Sequence, residues 1–210
     1  MARLKRGIGS MFSGKTDGMV FVQLNGETYM RTAPDRKKNS WTPKQQLHRK
    51  RFREVNSFCT RFSSYLIPQI WSPAAKNRKM TGHALFLKTN MPAFAMDGSL
   101  ADPRMLQFST GKLPLPQQLK ADRTAAESTT IAVSWNNDPY LDAQRLTDQL
   151  MLISAGNGHY SYLTPTGLER GARNGSFELP QQPPLSSHLY LFFASGDKKE
   201  YSASVCFELG

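Results

Sequence analysis

From Met105 onward the chain is cut by turn residues into short runs of β-formers, a pattern that an all-β domain produces and a helical one does not. The spacing predicts strands near residues 104–110, 129–135, 148–154, 159–164, 174–179, 188–195 and 200–208. The best of them is Thr129-Thr130-Ile131-Ala132-Val133-Ser134-Trp135, in which Ile131, Val133 and Trp135 share one face. Seven strands in a segment of about 100 residues suit an immunoglobulin-like or fibronectin type III-like β-sandwich. The proline-rich Leu179-Pro180-Gln181-Gln182-Pro183-Pro184 fits a loop between two of these strands.

The first hundred residues follow different rules. Met19-Val20-Phe21-Val22-Gln23-Leu24, then Asn25-Gly26, then Glu27-Thr28-Tyr29-Met30-Arg31 predicts a hairpin, because Asn-Gly tolerates the positive φ of a type I′ turn. In that register Val22 faces Tyr29 and Phe21 faces Met30, so both faces carry apolar pairs. Thr42-Pro43-Lys44-Gln45 reads as a capping box with proline at the first helical position, opening a helix that is expected to reach Tyr65 or Leu66 and stop before Pro68. At 100° per residue, Leu47, Phe52, Val55, Phe58, Cys59, Phe62, Tyr65 and Leu66 lie within an arc of about 140°. Arg49, Lys50, Arg53 and Arg61 take the opposite face. His48 and Arg51 fall inside the apolar arc, so partial burial or snorkelling is expected. A short second helix is predicted near residues 81–88. The expected fold is mainly β, α+β overall. It comprises a hairpin-plus-helix region at 1–92, a linker at 93–103 and a seven-stranded sandwich at 104–210.

With 210 residues a domain can bury a working core without cross-links. Cys59 and Cys206 belong to no ligand pattern and read as reduced core thiols. No apolar stretch approaches the roughly 20 residues that cross a bilayer. The basic start, Arg3, Lys5 and Arg6, is not followed by the apolar segment of a secretory signal. The expectation is therefore no membrane insertion and a location in the cytoplasm or an intracellular particle.

Charge is unevenly spread. The net charge is +11, yet residues 31–61 carry ten Lys/Arg against Asp35 and Glu54, whereas residues 129–210 hold five basic and eight acidic side chains. Such asymmetry directs attention to an anionic partner for the basic segment. Arg49, Lys50, Arg53 and Arg61, with Arg36, Lys37 and Lys38 in the preceding loop, are the nucleic-acid-binding candidates, through phosphate contacts that carry little sequence information.

Gly9-Ser10-Met11-Phe12-Ser13-Gly14-Lys15-Thr16 matches the P-loop pattern letter for letter. In such a loop backbone amides would cradle phosphates, Lys15 would reach the outer ones and Thr16 a magnesium ion. The pattern needs a buried strand before it and a helix after it. Here Asp17-Gly18 and the hairpin strand follow instead, so Gly9, Gly14, Lys15 and Thr16 read as a fortuitous match. The four histidines, His48, His83, His159 and His188, have no second ligand at helix or strand spacing. No nucleophile elbow or paired-carboxylate site can be assembled. No catalytic residue, metal, cofactor or small-molecule ligand is assigned.

The residues resemble a family of roughly 200-residue Bacteroidetes proteins classed as a domain of unknown function. The resemblance is carried by Phe12-Ser13-Gly14-Lys15 before a hairpin, Arg31 closing it, and Thr42, Gln45, Arg49 and Phe52 at the helix start. Ser109-Thr110-Gly111-Lys112-Leu113, the Ser134-Trp135 pair and Leu189-Tyr190-Leu191-Phe192-Phe193 extend it over most of the chain. It implies a hairpin-plus-helix part joined to an immunoglobulin-like sandwich, with Gly14-Lys15 as hairpin structure, and it implies no activity. The reading that follows is a non-enzymatic protein whose partner is another protein or a second copy of itself. Nucleic-acid association through residues 31–61 is the alternative, and nucleotide binding at 9–16 a third.

Overall fold

The computed structural model describes residues 2–4, 14–24, 27–34, 41–125, 128–180 and 187–209. It divides into two compact units, Met1–Thr42 and Pro43–Gly210. The first is a four-stranded antiparallel sheet of β1 (Ala2–Leu4), β2 (Gly14–Thr16), β3 (Met19–Leu24) and β4 (Glu27–Thr32), in the order β1-β4-β3-β2. Phe21 pairs with Met30 and Val22 with Tyr29, the register that the alternation predicts. The turn residues Asn25 and Gly26 lie outside the described residues. Two further strands, unexpected from the sequence, flank the hairpin. A tight turn joins β2 to β3, Asp17 and Gly18 both having positive φ (43° and 76°), which an Asp-Gly pair accepts at little strain.

The second unit opens with α1 (Pro43–Thr60). The helix ends earlier than expected, and Pro68 does not stop the chain. Residues 61–63 tighten into three-residue hydrogen bonds, Arg61, Phe62 and Ser63 donating to the carbonyls of Phe58, Cys59 and Thr60. The Ile67 N–H then reaches back five residues to the Phe62 carbonyl at 3.1 Å, and a π-helical turn covers Ile67–Trp71. Pro68 sits in the first turn of that new segment, where its missing N–H leaves no bond unmade. Then come α2 (Ser72–Ala75) and α3 (Gly82–Asn90), the latter capped by the Thr81 hydroxyl, which accepts from the Ala84 N–H at 3.1 Å.

The strands that follow are β5 (Gln117–Arg123), β6 (Thr130–Asn136), β7 (Gln149–Gly156), β8 (His159–Tyr160), β9 (Thr164–Glu169), β10 (Asn174–Glu178), β11 (His188–Ala194) and β12 (Val205–Glu208). They form two antiparallel sheets, one in the order β10-β6-β5 and one in the order β12-β11-β7-β8, with β9 also paired to β7. The protein is thus a mixed α+β chain with three antiparallel sheets.

Strands β7 and β11 have no solvent face. Met151, Ile153, Tyr190 and Phe192 point into a core shared with the helices, whereas Leu150, Leu152, Leu189, Leu191 and Phe193 meet Ile131, Val133, Trp135 and Phe177 of the three-stranded sheet. Burial on both faces is why residues 189–193 read as an unbroken apolar run. On the helix side Phe58 and Phe62 lie 5.1 Å apart, and Phe108 stands edge-on to Tyr190 at 4.5 Å. Such ring pairs contribute about 0.5–1.5 kcal/mol each beyond their buried area. Helices and sheet therefore share one core. The compact unit runs from Pro43 to the end, and no division falls across residues 93–103.

Residues 104–110 are not a strand. Their backbone groups are satisfied by side chains instead: Asn90 Oδ1 accepts from the Gln107 N–H (2.7 Å), Ser204 Oγ from the Phe108 N–H (3.0 Å), and the Trp71 indole donates to the Phe108 carbonyl (2.9 Å). Strand β5 was not expected because it is polar and irregular, with a bulge and a positive φ at Gln118. Strand β9 was masked by Pro165 and by Gly167, whose φ is +81°. The predicted strand at 200–208 is shortened to β12, with Tyr201 and Ser202 making only isolated bridges. Of the loop predicted over 179–184, residues 181–184 lie outside the described residues. No helix among the described residues is long and apolar enough to cross a membrane.

Candidate functional site

Rotation along α1 sets Lys50, Arg53, Ser57 and Arg61 on one stripe three turns long, about 16 Å at 1.5 Å per residue. Lys50 and Arg53 are exposed. Arg53 Nε lies 3.4 Å from Glu54 Oε1, a solvated pair worth little. Arg49 is also exposed, on the same side of the helix as expected. Arg51 is half-buried: it donates to the Met91 carbonyl at 2.8 Å and so ties α1 to the turn after α3. His48, expected to be partly buried, is exposed, because the core does not extend beneath the first turns of the helix. Arg36, Lys37 and Lys38 lie outside the described residues.

The stripe leads into a cleft. Arg61 Nη1 donates to the Gly158 carbonyl at 3.3 Å, joining the end of α1 to the β7–β8 turn 97 residues away. That turn is tight, with positive φ at Asn157 (51°) and Gly158 (76°). Around it, Arg61, Phe62, Tyr65, Gly158, His159, Tyr160 and Tyr162 enclose about 230 Å³. Phe62 and Tyr160 pack edge-on at 5.7 Å as the floor. Tyr65 and Tyr162 pair at 5.2 Å as the rim, and Tyr162 is 76% exposed. Burial, then the neighbouring Tyr162, pushes the Tyr65 phenol up to about 12, and burial does the same for Tyr160 against the opposing Arg61 charge. Both phenols are therefore neutral donors at ordinary pH. The lining supplies flat ring faces, one guanidinium and an imidazole, and contains no carboxylate. This is equipment for holding a planar or anionic group.

Of the sequence candidates, Lys50, Arg53 and Arg61 are brought into line. Tyr65, His159 and Tyr162 were missed, although His159-Tyr160-Ser161-Tyr162 directly after a glycine-rich turn was a usable signal.

The P-loop letters fold otherwise. Gly14, Lys15 and Thr16 form β2 and pair with Phe21, Val20 and Met19, and Asp17-Gly18 reverses the chain where a phosphate loop would start a helix. Gly9 lies outside the described residues.

A second cleft, of about 510 Å³, lies at the start of β7 and β11's far end, between Arg145, Asp148, Asp197, Lys199 and Glu200. Its charges satisfy one another: Arg145 Nη2 is 2.6 Å from Glu200 and Lys199 Nζ 3.1 Å from Asp197. Beneath it Arg170 and Asp148 form a fully buried ion pair (3.2 Å), the guanidinium stacked 4.2 Å over the Phe193 ring. Burial raises the Asp148 carboxyl and lowers the Arg170 guanidinium, each opposing the attraction of its partner. Cys59, buried, is raised to about 12 and Cys206, half-buried, to about 11, both mainly by burial. Among the described residues no group of three or more His, Cys, Asp or Glu side chains is placed to hold a metal ion.

Compared with protein-family models, with curated proteins and with solved structures, the chain has no match.

Proposed function

We propose that this is a non-enzymatic interaction protein that assembles with further copies of itself through the first turns of α1. One observation carries the reading: the apolar stripe of α1 is longer than the core beneath it. Val55, Phe58 and Cys59 are buried, whereas Leu47 and Phe52, in the same arc, are 45% and 48% exposed. Large apolar side chains left exposed at the end of an otherwise well-buried stripe mark a contact surface. A second copy is the occupant because the basic helix, six Lys/Arg against Glu54 over residues 43–61, is complementary to the acidic sheet half of the same sequence. That pairing is heterologous, head to tail.

The strand order supports a fibronectin type III-like reading of the two facing sheets. Taking β5, β6, β7, β9, β10, β11 and β12 as strands A, B, C, C′, E, F and G, the sheets are A-B-E and G-F-C-C′. The fourth strand joins the C edge, which favours this arrangement over the constant-type immunoglobulin one. Such sandwiches serve widely as binding scaffolds, and the fold by itself assigns no chemistry. Kinship with the Bacteroidetes family belongs to the same proposal, with Gly14-Lys15 at a hairpin edge in its support.

Light scattering on the eluting protein over a broad concentration range tests the assembly. Wild-type chain is expected to gain mass with concentration, and Phe52→Asp combined with Leu47→Asp to stay monomeric. A wild-type chain that is monomeric throughout refutes the reading.

A further inference from the structure

We propose that the cleft of Arg61, Tyr65, His159 and Tyr162 is a binding site for single-stranded nucleic acid, a base stacking on the Tyr65–Tyr162 rim and the following phosphates running back along Arg61, Arg53 and Lys50. The site borders the assembly surface and draws on the same α1 cations: at 100° per residue Leu47 lies about 60° from Lys50, and only Phe52, about 160° away, is on the far side of the helix.

Three features converge. First, an exposed aromatic rim is held in place. Tyr162 keeps most of its surface in water and meets Tyr65 edge-on at 5.2 Å, which leaves a ring face open to a planar group. Second, a cation stands beside the rings, Arg61 lining the same cleft. The bond to the Gly158 carbonyl uses one terminal nitrogen of Arg61 and orients the planar fork, whose other N–H groups suit a phosphate oxygen. Third, the charge continues. From Arg61 the stripe runs for about 16 Å, long enough for several phosphates at about 3.4 Å of rise in a stacked strand. A cationic track combined with aromatic faces for stacking is how single strands are held without regard to sequence.

The geometry selects a single strand over a duplex because stacking on Tyr162 requires a base face, and a duplex hides its base faces between neighbours. It selects nucleic acid over an acidic peptide because carboxylates would occupy the stripe and leave the aromatic rim unused. A lone nucleotide would fill the cleft but leave Lys50 and Arg53 without a phosphate.

Fluorescence anisotropy of the full-length chain with a labelled deoxythymidine oligomer, a duplex of equal length and an abasic oligomer tests this. The oligomer is expected to bind more tightly than the duplex or the abasic strand. Tyr162→Ala is expected to weaken it by about 5- to 150-fold, the stacking of one base. Lys50→Ala is expected to weaken all three strands alike and to reduce the salt slope by about 0.7, the share of one phosphate on a single strand. Equal affinity for the thymidine and abasic strands, or a Tyr162→Ala protein that binds as wild type does, overturns the proposal in favour of simple polyanion attraction. Oligomer affinity retained in Phe52→Asp supports it, since Phe52 lies about 160° round the helix from Lys50 and belongs to the assembly surface alone.

Discussion

Both ends of β7 have arginine beside them, and they put it to opposite use. At its start, Asp148, Arg170, Arg145, Glu200, Asp197 and Lys199 close on one another, so each charge has a partner within the molecule. At its other end, Arg61 has a single carbonyl for a partner among the described residues, and the rings around it leave a face open. A larger cleft is therefore not the better binding site. Volume measures room, whereas recognition needs groups whose interactions are still to be made, and the smaller cleft has them.

That contrast predicts where substitutions will hurt. The largest effect is expected from Asp148→Ala, which strands a buried guanidinium. Loss of about 3–5 kcal/mol in urea unfolding is expected, and adding Arg170→Met is expected to recover much of it, since a buried pair exchanged whole for apolar packing is often neutral. A loss below about 1 kcal/mol for Asp148→Ala would mean that the closed end of β7 is not the structural element described. By contrast Tyr162→Ala, at the open end, is expected to leave stability within about 0.5 kcal/mol while impairing oligomer binding. A large loss of stability there would erase the distinction between the two ends.

How much of this was legible in the sequence follows the range of the interactions. The β3–β4 register and the alternating faces of β6 are local, so period and turn chemistry suffice to read them. Strands β5 and β9 escaped because they are polar or carry Pro165 and Gly167, and only pairing with β6 and β7 makes them strands. Asp17-Gly18, directly after the P-loop letters of residues 9–16, is a turn signal of the same kind as Asn25-Gly26, and strand β2 before it is too short and polar to announce itself. Pro68 misled for a different reason: proline stops a continuing helix but suits the first turn of a new one, and the three-residue turns at 61–63 make it a new one. Of the candidate site, the cations of α1 were visible as a helical face. The cleft was not, since it exists only when residues 61–65 and 158–162 meet.

The smallest predicted effect tests the closed end in its exposed turn. Asp197 Oδ1 accepts from the Ser195 hydroxyl at 2.7 Å and from the Lys199 N–H at 3.2 Å, with Lys199 Nζ 3.1 Å from Oδ2. These bonds favour the ionised carboxylate and hold its pKa at about 2, below the ordinary aspartate value of about 3.9. The folded state thus binds the proton less readily than the unfolded chain. The turn's contribution to stability is full above about pH 4 and is lost as pH falls through about 2. An NMR titration of the Asp197 carboxyl carbon is expected to show a midpoint near 2, moving up towards the ordinary range in Ser195→Ala. A wild-type midpoint already in the ordinary range would mean that Ser195 and Lys199 do not hold the carboxylate. The charges at that end of β7 would then be as available to a ligand as those at the other, and the contrast between the two ends would lose its basis.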